Sequence, residues 1–162
     1  MSAFTLTDLK RLMSGRPTVP VILQGEAAEC ANACIAMVAS YYGHALTLHQ
    51  LRQRFPISLK GATLLQVANL CEQLGMQYRA VTLEIDDLSK LRTPCILHWR
   101  FNHFVVLCST NGRTAIINDP ATGQRKVSLT ELNEAFTGVA LEIWPTQNFE
   151  ITPPRPPMPL RK

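Results

Sequence analysis

The amino-acid sequence predicts an α+β fold, with the helices gathered in the first half of the chain and an antiparallel sheet in the second. Between Cys30 and Leu74 apolar residues recur at helical spacing in three segments separated by Gly43 and Pro56, whereas from Met76 onward the period changes to alternation. Short apolar runs bounded by turn residues then continue to Trp144, and one pair of them is joined by Asn111-Gly112, a strong hairpin signal. A run of helices followed by a run of strands, without βαβ alternation, is the α+β pattern.

Taken in order, Thr5 to Met13 reads as a short amphipathic helix within an N-terminal extension, residues 1–18. Residues 19–149 form the domain, and residues 150–162 a proline-rich linker that is expected to lead on to a further domain. Arg16 to Pro20 is an extended lead-in, because each proline disfavours the helical region for the residue before it. The first domain helix runs from Cys30 to Tyr42 and stops at Gly43, a left-handed C-cap. Thr47 caps a second, Leu48 to Phe55, ended by Pro56, and Thr63 caps a third that ends at Gly75. Met76 to Leu83 alternates as a strand, Asp86 to Lys90 is a helical turn, and Cys95 to Trp99 and Phe104 to Cys108 are strands. Thr114 to Ile117 and Arg125 to Leu129 follow. Thr130 is expected to cap a short helix through Phe136, and Val139 to Trp144 closes the sheet.

Composition excludes several classes of function. Sixteen Lys and Arg stand against twelve Asp and Glu, and Arg155, Arg161 and Lys162 supply most of the excess, so the domain carries no basic stripe for nucleic acid. The five cysteines are odd in number and scattered through apolar segments, unlike a secreted disulfide framework. No apolar run reaches the roughly 18–20 residues that span a bilayer, and residues 1–16 lack the apolar centre of a signal peptide. A soluble cytoplasmic chain is the expectation. Cys30 and Cys34 are four apart, but a closed zinc site needs a second pair of ligands and none is present, so no metal is expected. No phosphate-cradling glycine loop occurs, so no cofactor is expected by that route.

The stretch Gln24 to Cys34 carries the first chemical signal. Cys30 falls in the first turn of a helix, where free N–H groups and the helix dipole favour thiolate over thiol. The competing reading is a small buried residue in a packed helix, and a nucleophile would in addition need a base. Of four histidines, His44 and His49 lie among helix-end turns where solvation is the default, and His98 sits inside a strand as a core or half-buried residue. His103 stands at a strand end beside Asn102, where it either serves as the base or marks the strand boundary. Asp119 follows the strand that the hairpin pairs with that of His103, so its carboxylate can come alongside the imidazole; in Asn-Asp-Pro it can equally cap its own turn. Gln24 offers an amide which, with the Cys30 N–H, can donate to an oxyanion, or it is a solvated loop residue. Cysteine, then histidine at a strand end, then aspartate one strand later is the order of papain-like thiol proteases. Cys34 has no such partner and reads as core.

With these residues laid out, the chain resembles the N-terminal peptidase domain of bacteriocin- and microcin-exporting ABC transporters, the double-glycine leader peptidases. The resemblance covers about Val19 to Phe149 and is carried by Gln24 with Cys30, Ala36-Met37-Val38, Tyr41-Tyr42-Gly43, Gly61-Ala62-Thr63, Pro94 to Trp99, Asn102 to Leu107, Asp119-Pro120 and Phe136 to Val139. It implies a papain-like fold and a cysteine endopeptidase that cuts a precursor peptide after Gly-Gly or Gly-Ala. It further implies Cys30 as nucleophile, His103 as general base and acid, Asp119 as its orienting partner and Gln24 as oxyanion donor. Trp99 would wall the narrow channel that admits glycine. The implied partners are a precursor with a double-glycine leader and the transmembrane and nucleotide-binding domains of a full-length transporter, on the cytoplasmic face of the inner membrane. One departure is Glu29-Cys30-Ala31, where the family usually has Asp-Cys-Gly. An alternative of another class is a leader-binding module with an idle cysteine, which recruits cargo without cutting it.

Overall fold

The structure, a computed structural model, describes residues 18–55 and 63–152. The expected helix at Thr5 to Met13, the Gly61-Ala62 pair and the proline-rich tail from Pro153 lie outside these residues.

The described chain begins with an extended lead-in and a 3-10 turn, Ala27–Glu29, that runs directly into helix α1, Cys30–Tyr41. Every residue of α1 from Cys30 to Ala39 is buried. A helix apolar all round belongs inside a core, and α1 is covered by strand β3 on one side and by helices α2 and α3 on others. It ends where Gly43 adopts a φ of 107°, a left-handed conformation that glycine accepts without a steric penalty. Helices α2, Leu48–Arg54, and α3, Leu64–Gln73, each start with a reciprocal capping box, Thr47 with Gln50 and Thr63 with Gln66.

Six strands follow: β1 Met76–Thr82, β2 Cys95–Trp99, β3 His103–Thr110, β4 Thr114–Asp119, β5 Gly123–Ser128 and β6 Phe136–Pro145, with a 3-10 helix at Ile85–Lys90 and helix α4 at Leu129–Ala135. They form one antiparallel sheet in the order β1-β6-β2-β3-β4-β5. The α+β expectation holds. Two details differ. The last strand does not sit at an edge but inserts between β1 and β2, and α4 starts two residues earlier than expected, capped by Ser128 accepting the Glu131 N–H at 3.3 Å rather than by Thr130.

The two faces of the sheet divide the core. Met76, Ile96, Phe104, Val106, Leu141 and Ile143 face α1 and its neighbouring helices. Cys95, Leu97, Val105, Leu107, Ile117 and Ala140 face the other way, toward Leu88 and α4. Fully burying a Val, Leu, Ile, Phe or Met side chain stabilises a fold by roughly 1.5–3 kcal/mol. Because β3 and β4 are antiparallel, the first residue of β3 and the last of β4 lie at the same end of the sheet, and α1 begins there. The lead-in is held to this end: Asn118 Nδ2 donates to the Val19 and Pro20 carbonyls, both at 3.2 Å, and the Gln24 N–H donates to the Pro120 carbonyl at 2.8 Å.

Candidate active site

Three element termini meet at that sheet end. Cys30 is the first residue of α1, His103 the first of β3 and Asp119 the last of β4. The His103 Nε2 lies 2.7 Å from Asp119 Oδ1. The Cys30 side chain lies beside the same imidazole, close enough to favour its charged form; with Nε2 engaged by the carboxylate, Nδ1 is the ring nitrogen left free to face the sulfur. Asp119 Oδ1 also accepts the Ala121 N–H at 2.9 Å, so this one carboxylate both caps its own turn and holds the histidine. The side chains of His103 and Asp119 are 19% and 11% exposed, so their pairing is largely shielded from water.

The electrostatics follow from these contacts. The Asp119 bond raises the His103 pKa most, the neighbouring Cys30 adds to it, burial opposes both, and the result is a value pushed up from 6.5 to about 9. For Asp119, burial alone would raise the carboxyl; the His103 and Ala121 hydrogen bonds and the nearby charges of His103 and Arg125 outweigh it and hold the group below its ordinary range. Cys34, fully enclosed one turn along α1, has its thiol pushed up by burial and by the negative charge that Cys30 and Asp119 can carry. The two cysteines of the helix thus differ in their surroundings: one lies beside an imidazole, the other is walled into the core.

Gln24 is placed by its backbone, pinned to Pro120, and its side-chain Oε1 is buried without a hydrogen-bond partner among the described residues. Trp99 is 2% exposed and packs in the core layer away from α1. A channel wall must present surface, so the expectation for Trp99 is corrected; it stands directly opposite His103 in the β2–β3 register instead. His98 has both ring nitrogens engaged, Nδ1 with Thr137 Oγ1 at 3.0 Å and Nε2 with the Phe101 carbonyl at 3.1 Å. His44, expected in solvent, is buried beside Phe149. Among the described residues no group of three or more His, Cys, Asp or Glu is placed to hold a metal ion.

Sequence reasoning missed one cluster next to the thiol. The Glu29 carboxylate is bound by both Nε and Nη2 of Arg52 from α2, the latter at 3.0 Å, and accepts the N–H groups of Gly25 and Glu26 at 2.8 and 2.9 Å. The partners are 23 residues apart on different elements, and nothing in the local pattern around Glu29 signals Arg52.

A thiol at the start of a buried helix, packed on an antiparallel sheet that presents imidazole and carboxylate from adjacent strands, defines the class of papain-like cysteine peptidases. Within that class, the family model described as the peptidase C39 family matches residues 18–148. The chain belongs to the peptidase C39 family. It is 50% identical over 132 residues to the colicin V secretion/processing ATP-binding protein CvaB of Escherichia coli, a match that spans 82% of this chain and 19% of that protein. It is 47% identical over 137 residues to the probable microcin-H47 secretion/processing ATP-binding protein MchF of the same species, spanning 85% of this chain and 20% of the relative. The chain therefore corresponds to about a fifth of the length of these relatives. Among solved structures, a double glycine motif protease from an AMS/PCAT transporter, crystallised in complex with the leader peptide, superposes with a TM-score of 0.75 at 42% identity, covering 82% of this chain and 95% of that one. The peptidase domain of Streptococcus ComA shares the fold, with a TM-score of 0.72 at 24% identity over 79% of this chain and 99% of that one.

Among the described residues no helix is long and apolar enough to cross a membrane.

Proposed function

We propose that this domain is a cysteine endopeptidase that removes the double-glycine leader from a bacteriocin or microcin precursor, cutting after Gly-Gly or Gly-Ala, as part of an ABC transporter that exports the mature peptide. The observation that carries the reading is the imidazole of His103, which lies beside the Cys30 side chain and is hydrogen-bonded through Nε2 to Asp119. In this reading Cys30 sulfur attacks the carbonyl of the residue preceding the cut and His103 holds the proton the thiol gives up. The oxyanion that forms is met by the Cys30 N–H and the Gln24 side-chain amide. Collapse of the tetrahedral adduct breaks the C–N bond, with His103 delivering its proton to the departing amine. Water, deprotonated by the same imidazole, then hydrolyses the thioester and restores the thiol. Asp119 keeps the ring oriented and its charged form stable throughout.

The names of the relatives, secretion and processing ATP-binding proteins, support a place on the cytoplasmic face of the inner membrane, joined to transmembrane and nucleotide-binding domains. The leader-bound structure of a 42% identical protease supports a leader-bearing precursor as the substrate. Incubation of the domain with a double-glycine precursor tests the reading. The parent should release leader and mature peptide, and Cys30→Ala should lose cleavage while still binding the precursor. Cleavage by Cys30→Ala at the parental rate would refute the assignment, and tight leader binding by a parent that does not cut would mark a recruiting module instead.

A further inference from the structure

The backbone that carries Gln24 is fixed on both sides. Its own N–H is bonded to the Pro120 carbonyl, which sets the chain before its Cα, and the next N–H, that of Gly25, is bonded to Glu29 Oε2, which sets the chain after it. The Glu26 N–H joins the same carboxylate oxygen, and the Glu29 N–H returns to the Glu26 carbonyl at 3.1 Å. The Glu29 side chain is 8% exposed, and its charge is met by the Arg52 guanidinium reaching across from α2. Gly25 leaves the room this needs: a Cβ there would lie 2.7 Å from Arg52 Nη2 and 3.1 Å from Glu29 Oε2. With φ and ψ of Gln24 both held, only its side-chain torsions remain to be set. A carboxylate satisfied by two backbone N–H groups and a guanidinium fork is a strong, directional anchor, and here it sits one residue before the thiol.

We propose that the Glu29–Arg52 pair is a positioning device for the oxyanion site, holding the loop from Gln24 to Glu26 so that the Gln24 amide and the Cys30 N–H converge on one point. Neither residue touches the reacting atoms; both act through Gln24. The inference rests on the leader-peptidase reading of the site. An oxyanion donor displaced by about 1 Å loses most of its worth, because the donor must meet the oxygen at hydrogen-bond distance in the transition state.

Two kinetic readouts separate this role from a purely structural one. Cleavage of a double-glycine precursor passes through an oxyanion, whereas alkylation of Cys30 by iodoacetamide does not. Arg52→Ala is the main variant, since Arg52 is half exposed and its loss leaves the core intact; Glu29→Gln is the second. Removing one oxyanion donor lowers kcat by about 10²–10³-fold. Gln24→Ala should show a loss of that order, and Arg52→Ala and Glu29→Gln should each lower kcat by about 10-fold or more with KM and the pH profile of Cys30 alkylation unchanged. In the Gln24→Ala background, Arg52→Ala should cost nothing further, because the group it positions is gone. Parental kcat in Arg52→Ala overturns the proposal. So does a fall in alkylation parallel to the fall in kcat, which would place the effect on the thiol, or full additivity with Gln24→Ala. A parent that cuts no precursor is seen before any variant is compared; it removes the leader-peptidase reading and this inference with it.

Discussion

His103 sits between two partners of opposite demand, in the proposed mechanism a thiol that gives it a proton and a carboxylate that steadies the charge, and its titration reports on both. With its pKa raised from 6.5 to about 9, chiefly by Asp119, the ring keeps a proton for the leaving amine through neutral pH and loses it only in mild alkali. Asp119→Asn removes that charge and leaves a neutral acceptor, so the alkaline limb of kcat should move from about pH 9 toward the ordinary histidine range, with kcat lower throughout. A pH–rate profile of precursor cleavage checks this, and an unmoved alkaline limb in Asp119→Asn would separate the titration from the carboxylate. The same linkage acts on stability. Because the folded pKa lies above the unfolded one, the contribution of the pair is complete below about pH 6.5 and fades as pH rises toward about 9. Cys30, His103 and Asp119 are legible in the sequence because each stands where an element begins or ends, and termini are what turn and cap signals mark. Trp99 is not, since which face of a strand is covered depends on partners elsewhere in the chain. Glu29 and Arg52 are not either, because folding alone brings α2 beside the loop before α1.

At the scale of elements, local signals worked where side chain and backbone are close in sequence. The capping boxes at Thr47 and Thr63, and the stops at Gly43 and Gly75, are readable because each involves groups within four residues. The start of α4 is the instructive exception. Ser128-Leu129-Thr130 offers two hydroxyls in helix-start context, and β5 decides between them by running on to Ser128, which leaves Ser128 extended at ψ 164° and able to accept the Glu131 N–H. Loss of an N-cap hydroxyl costs about 0.5–2 kcal/mol, whereas a threonine already inside the first turn has no capping bond to lose. Ser128→Ala should therefore lower the denaturation midpoint measurably and Thr130→Ala should leave it nearly unchanged. Urea unfolding of the two variants against the parent decides it; the reverse ranking would return the cap to Thr130.

For the molecule as a whole, the sequence announces that the second half is an antiparallel sheet but not in what order its strands lie. Hairpin chemistry joins β3 to β4 and β4 to β5, where the connections are short and the turn residues visible. The position of β6 is set by pairings as distant in sequence as Met76 with Pro145 and Cys95 with Glu142, and no local signal encodes them. Its consequence is energetic. A strand at the edge would bury little, but β6 between β1 and β2 places Leu141 at 0% exposure in the same apolar cluster as Cys30 and the whole inner face of α1. Truncating a leucine so buried costs roughly 2–5 kcal/mol, and in a single packed core that loss is felt by every element resting on it, the helix that presents the thiol included. Leu141→Ala should shift unfolding to lower denaturant by an amount of that order. Unfolding followed by circular dichroism and, in a Cys30→Ala background, by exposure of the fully enclosed Cys34 thiol to a labelling reagent should give coincident curves with and without Leu141→Ala. Leu129→Ala, at an exposed position on α4, is the control and should change little. If Leu141→Ala cost no more than Leu129→Ala, β6 would not occupy the centre of the sheet. If the Cys34 thiol became reactive well before the secondary structure was lost, the site would rest on α1 and its loop alone rather than on the sheet behind it.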